Sequence, residues 1–138
     1  MKGPSDARKR TLALQDRALQ FSVAVNAACP RQFRDLPSAT VWGQLVRAAD
    51  SASSNLVEAD DASSTADFVH KMRLALREAK ESKQCLAKLR LGSLAGLENA
   101  AGLEREADEL AAIFATIVLK VRRRLEMTGQ GSTSRRGS

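Results

Sequence analysis

Between Phe68 and Leu89 the chain places Phe68, Met72, Ala75, Ala79, Ser82, Leu86 and Leu89 at alternating steps of four and three residues. That rhythm lines one face of an α-helix and cannot line one face of a strand, whose period is two. Leu103, Ala107, Leu110, Phe114, Ile117 and Val121 repeat it further along. Two long stripes of this kind call for other helices packed against them at shallow crossing angles of about +20°. Composition points the same way. Apolar residues make up 43% of the chain but are mostly Ala, Leu and Val, with four Phe, one Trp and no Tyr. Ala and Leu are strong helix formers, and no alternating run of β-branched or aromatic residues suggests a strand. The expected fold is all-α.

Two further helices precede these. One is expected from about Ser5 to Ala28, stopped by Pro30. It carries two apolar stripes, Leu12, Leu19 and Val23 on one side and Leu14, Ala18, Phe21, Val25 and Ala28 nearly opposite. A helix on a single core needs one stripe, so two imply burial on both sides, by this chain or by another subunit. Pro37-Ser38 opens the next helix, with Ser38 as expected N-cap and an end near Ala59. Ser64-Thr-Ala-Asp67 has capping-box form before the third helix. Glycines 92, 96 and 102 interrupt the following loop, and the fourth helix is expected from about Asn99 to Glu126. Four long helices with short connections pack best as an antiparallel up-down bundle. One domain is expected over 1–128, with flexible first residues and a tail at 129–138 disordered by composition.

The second helix contains the run Ser51-Ala-Ser-Ser-Asn55. Ser and Asn compete for backbone hydrogen bonds and are poor helix-interior residues, so the run needs a tertiary reason. Small side chains permit close helix approach, and Asn55 can bond a neighbouring backbone. Arg47 and Glu58 flank the run and are expected to pair with Glu78, Glu81 or Lys71 across the second and third helices, as buried pairs that fix register more than they add stability.

The net charge is +6, but its location matters more than its size. Lys2, Arg8, Lys9 and Arg10 face only Asp6 at one end, and Arg122, Arg123, Arg124, Arg135 and Arg136 face only Glu126 at the other. The body between is close to neutral, which weakens a purely compositional argument for nucleic acid. No apolar stretch approaches the ~18 residues of a membrane span, and the first residues lack the apolar segment of a secretory signal. Cys29 and Cys85 suit free thiols in a reducing cytoplasm better than a disulfide framework.

Catalytic constellations are scarce. Di-iron bundles need inward carboxylates and Glu-x-x-His pairs; His70 has no glutamate three residues before it, and the core stripes contain no Asp or Glu. Neither cysteine has neighbours that would lower its pKa, and the glycines after Leu91 match no phosphate-loop pattern. The sequence therefore implies no catalytic residue, metal or cofactor.

The third helix carries the clearest polar signal. Arg73, Arg77, Lys80, Gln84 and Lys88 share one stripe, extended by His70. From Phe68 to Arg90 there are seven Lys/Arg and two acids, Glu78 and Glu81. One reading is a phosphate-tracking surface; the other is a solvated face whose long stems cover apolar neighbours, and no aromatic lies in the stripe to stack bases. Arg122, Arg123 and Arg124 have a similar double reading, because a helix that starts acidic and ends basic also complements its own macrodipole.

Gln44, Arg47, Ala48, Ser51, Asn55, Glu58 and Ala59, followed by Ser64, Asp67, Phe68, Lys71, Ala75, Glu78, Ala79, Glu81, Ser82 and Leu86, resemble the pattern of the four helix bundle protein family. Its founding members are encoded by intervening sequences within bacterial 23S rRNA genes (the S23 group), and it is related to accessory variability determinants of diversity-generating retroelements. Asp60 and Gln84 stand where many members carry a glycine and an aromatic residue. The resemblance implies an antiparallel four-helix bundle assembled into a ring-like homopentamer, with no catalytic residues. It also implies a structural role for Arg47, Ser51, Asn55, Glu58, Asp67, Phe68, Lys71, Glu78 and Glu81. The resulting expectation is a cytoplasmic, non-enzymatic homo-oligomer that binds nucleic acid through Arg73, Arg77, Lys80, Lys88, Arg122, Arg123 and Arg124. The alternative is a protein-interaction scaffold with no nucleic-acid role. Neither reading involves a membrane or a small-molecule substrate.

Overall fold

The computed structural model describes residues 3–136, with side chains through Gly129. It contains four α-helices, α1 (Asp6–Ala28), α2 (Leu36–Asp60), α3 (Thr65–Leu91) and α4 (Leu103–Arg136), with a short 3-10 turn at Leu97–Asn99. There is no strand among the described residues. Pairs of residues from helix to helix establish the topology. Glu58 near the end of α2 meets Lys71 near the start of α3, while Arg47 further back meets Glu81 further on. Arg90 at the end of α3 meets Glu104 at the start of α4, and Arg8 at the start of α1 meets Asp60 at the end of α2. Each successive pair is antiparallel, and Arg17 joins α1 to Glu106 and Glu109 of α4 to close the bundle.

Local chemistry fixes the helix starts. Ser5 Oγ accepts from the Arg8 N–H at 3.1 Å, and Ser64 Oγ accepts from the Asp67 N–H at 3.0 Å. Asp67 returns a bond to the Ser63 N–H at 3.1 Å, so the box is closed through the residue before the cap. The start of α2 differs from expectation. Asp35 is the N-cap, accepting from the Ser38 N–H at 2.8 Å, and Pro37 lies inside the first turn, where its missing N–H costs nothing. Ser38 is thereby released for a tertiary role. α4 begins later than expected, because Asn99 leaves the helix to donate from Nδ2 to the Ala28 carbonyl at the end of α1 and Gly102 adopts φ +81°. At its other end α4 passes the expected stop near Glu126 and continues to Arg136, into the segment expected to be disordered. No proline interrupts it, and adding a residue to an existing helix requires only one more hydrogen bond. Residues 137–138 of that tail, and residues 1–2, lie outside the described residues.

The core follows the stripes. Trp42, Leu45, Met72, Leu89, Leu110 and Phe114 are its largest fully buried members. Of the two stripes on α1, Ala18, Phe21, Val25 and Ala28 are buried with Leu14 partly so, whereas Leu12, Leu19 and Val23 face solvent at 42%, 51% and 51% exposure. Within one chain, α1 uses one of its two apolar faces. Among the described residues no helix is long and apolar enough to cross a membrane.

Candidate nucleic-acid interface

The basic stripe of α3 is outward-facing. Its residues sit on the face opposite Met72, Ala75, Ala79 and Leu86, which the core claims. His70, Arg73, Arg77 and Lys80 do not lie on a flat surface, however. Together with Val118 and Arg122 of α4 they line an open groove of about 710 Å³ along the α3–α4 seam, with Val69, Leu74 and Leu76 supplying apolar floor. Further along α3, Arg77, Lys80 and Lys88 border a shallower hollow of about 410 Å³ with Gln44, Glu81 and Gln84.

The pairing of charges divides the basic residues of the bundle into two sets. Arg8, Arg17, Arg47, Lys71, Lys83, Arg90 and Arg105 each have a carboxylate partner. Arg73, Arg77, Lys80, Lys88 and Arg122 have none among the described residues. Four of these cations, Arg73, Arg77, Lys80 and Arg122, share the α3–α4 seam and make a site of raised positive potential, strongest where the groove walls restrict water.

The basic triplet is divided by the helix. Arg122 faces the groove, Arg123 is exposed, and Arg124 lines a different crevice at the end of the bundle. Three consecutive helical residues cannot share a face, so the triplet is not a single patch. The apolar groove floor and the contribution of Val118 were not evident in the sequence, since they depend on which face α4 presents to α3.

The motif residues hold α2 to α3. Arg47 Nη2 donates to Glu81 Oε1 at 2.6 Å, with Glu78 at 3.7 Å, and Lys71 Nζ donates to Glu58 Oε2 at 3.2 Å. The expected partners are right, but the pairs are not buried: the Arg47 side chain is 58% exposed. Glu78 is the buried end of this network. Its Oε2 makes no hydrogen bond, and burial together with the adjacent Glu81 pushes its carboxyl above the usual range, against the opposing pull of Arg47. Asn55 does not reach another helix. Its Nδ2 donates to the Ser51 carbonyl at 2.9 Å and to Ser51 Oγ at 3.1 Å, one turn back. The close packing expected of the small-residue run is present: Ala52 and Ser53 are buried, as are Ala48 and Ala49 just before it. Phe68 is half-buried and packs against the core. Both thiols are free, and burial raises the pKa of each.

A family model for the 23S rRNA-intervening sequence protein matches residues 10–116. The chain belongs to this family. The match spans α1 to the middle of α4 and so contains the whole α2–α3 motif network. Among solved structures, the chain is similar to a protein of unknown function from the S23 ribosomal protein family of Bacteroides thetaiotaomicron VPI-5482. The two are 26% identical, with a TM-score of 0.62, over 76% of this chain and 97% of that one. No curated protein matches the chain.

Proposed function

We propose that this family member is a non-enzymatic, cytoplasmic homo-oligomer that binds nucleic acid along the α3–α4 groove. The observation that carries this reading is the convergence of four cations without carboxylate partners among the described residues, Arg73, Arg77, Lys80 and Arg122, on one groove. Phosphate oxygens are the partners such a row accommodates, and each neutralised phosphate releases counter-ions, giving affinity a steep salt dependence. Without an aromatic in the groove, the binding is to backbone rather than to particular bases.

The test is a titration of single- and double-stranded RNA and DNA at several salt concentrations. Each lost phosphate contact should flatten the log-affinity against log-salt slope by about 0.7–0.9. Arg73→Glu, Arg77→Glu and Lys80→Glu together should abolish the steep part. Weak binding that survives these reversals would leave the protein-interaction scaffold as the better reading.

That second reading has its own support in the exposed α1 stripe of Leu12, Leu19 and Val23, a surface suited to another subunit. A homopentameric ring is the assembly proposed, and light scattering on the parent and Leu19→Asp/Val23→Asp chains tests it. The double variant should lower the mass to that of a smaller species while leaving the helical content unchanged.

A further inference from the structure

At the end of the bundle where α1 and α3 begin, the four helices leave a half-enclosed crevice of about 450 Å³. Its interior is hydrocarbon: Leu14 from α1, Leu56 from α2, Phe68 and Met72 from α3, and Ile117 from α4. This volume lies in the range of small-molecule pockets, which are mainly apolar with a few placed polar groups.

Three observations define those polar groups. Arg10, Lys120 and Arg124 line the crevice, and none has a carboxylate partner among the described residues. Asp60 is the one acid in the lining, and it is already occupied: Arg8 Nη1 donates to both its oxygens at 2.7 Å and holds its carboxyl below the usual range. Gln15 also lines the crevice and adds to the lowering of the Asp60 carboxyl, yet its buried Nε2 makes no hydrogen bond of ordinary geometry. A buried donor left unpaired costs free energy, which a ligand oxygen would recover. An apolar interior, three free cations and an orphan amide donor match a molecule with a hydrocarbon body and an anionic head. A metal ion would find no free carboxylate here, and a nucleic-acid backbone has no apolar body to place against the interior.

We propose that this crevice binds one medium-chain fatty carboxylate per chain. The alkyl tail packs on Leu14, Leu56, Phe68, Met72 and Ile117. The carboxylate is held by Arg10, Lys120 and Arg124 with the Gln15 amide as an additional donor. This site is on a different part of the surface from the α3–α4 groove and does not depend on it.

Isothermal titration of the full chain with decanoate, below its micelle-forming concentration, tests the proposal against decanol and acetate as probes lacking one half of the ligand. Saturable binding of one decanoate per chain is expected, with a raised melting temperature. Val121→Trp, which fills the crevice, should abolish it. Lys120→Glu, at an exposed position that leaves the core intact, should weaken it by about tenfold, the change that loss of one charge-assisted contact brings. Decanol and acetate should each bind far more weakly. Absence of saturable binding would overturn the proposal. So would equal binding by the Lys120→Glu chain, or decanol binding as tightly as decanoate.

Discussion

Where α3 ends and α4 begins, the connecting loop is fastened down over the core. The Trp42 indole donates from Nε1 to the Ala95 carbonyl at 2.8 Å, and the Ala95 N–H donates to Ser38 Oγ at 3.0 Å. Gly96 passes so close that an added Cβ would lie 2.7 Å from Pro30 Cγ and 2.8 Å from Trp42 Nε1. Asn99 ties the same loop to the end of α1. At the opposite end the helices meet around a crevice, spanned by the exposed Arg8–Asp60 pair and lined by a glutamine amide without a partner. At one end Trp42, Ser38 and Asn99 tie the loop down as a cover, and at the other a buried amide is left without a hydrogen bond. Since buried polar groups are nearly always satisfied where stability alone decides, the closed end is where folding free energy is concentrated and the open end is where binding has room.

The contrast is breakable by mutation. Trp42→Ala should have the largest effect, a loss of about 3–5 kcal/mol in urea unfolding, because it leaves a large cavity and an unpaired carbonyl. Gly96→Ala should cost about 2–3 kcal/mol, since φ +86° is strained for alanine and its methyl would displace the indole. Ser38→Ala, which orphans the Ala95 N–H, should cost about 1–2 kcal/mol. At the open end the effects should be small. Asp60→Asn should lower the melting temperature slightly at neutral pH. A carboxylate held below its ordinary value contributes fully above the unfolded value of about 4 and loses that contribution as pH falls through the folded one. The difference between Asp60→Asn and the parent should therefore vanish in acid. Gln15→Leu should be neutral or stabilise by up to about 1 kcal/mol, because it removes an unpaired amide and adds apolar contact. A large loss there would show that the open end is as tightly built as the closed one.

Much of the frame was readable beforehand because it is local. The four-three rhythm of α3 and α4 follows from helical period alone, and Ser5 and Ser64 cap as their side chains dictate. The partners of Arg47 and Lys71 were readable from antiparallel neighbours one joint apart, although their exposure was not. Ser38 was misread as a cap because Asp35 performs that task equally well from sequence, and only the distant Ala95 N–H shows why the serine is buried. Asn55 was expected to bond a neighbouring backbone, and it does so one turn back, at the Ser51 carbonyl. The basic stripe was visible on α3, but the groove needed the facing residues of α4.

The sequence by itself determined the helices, their order and the family, because period, capping chemistry and motif spacing act within one or two turns of chain. The tertiary structure decided which cations remain without partners, which α1 stripe is left exposed, and which end of the bundle is sealed. Those outcomes depend on how distant helices rotate against one another, and a rotation of one residue's worth moves a side chain from the core to the solvent.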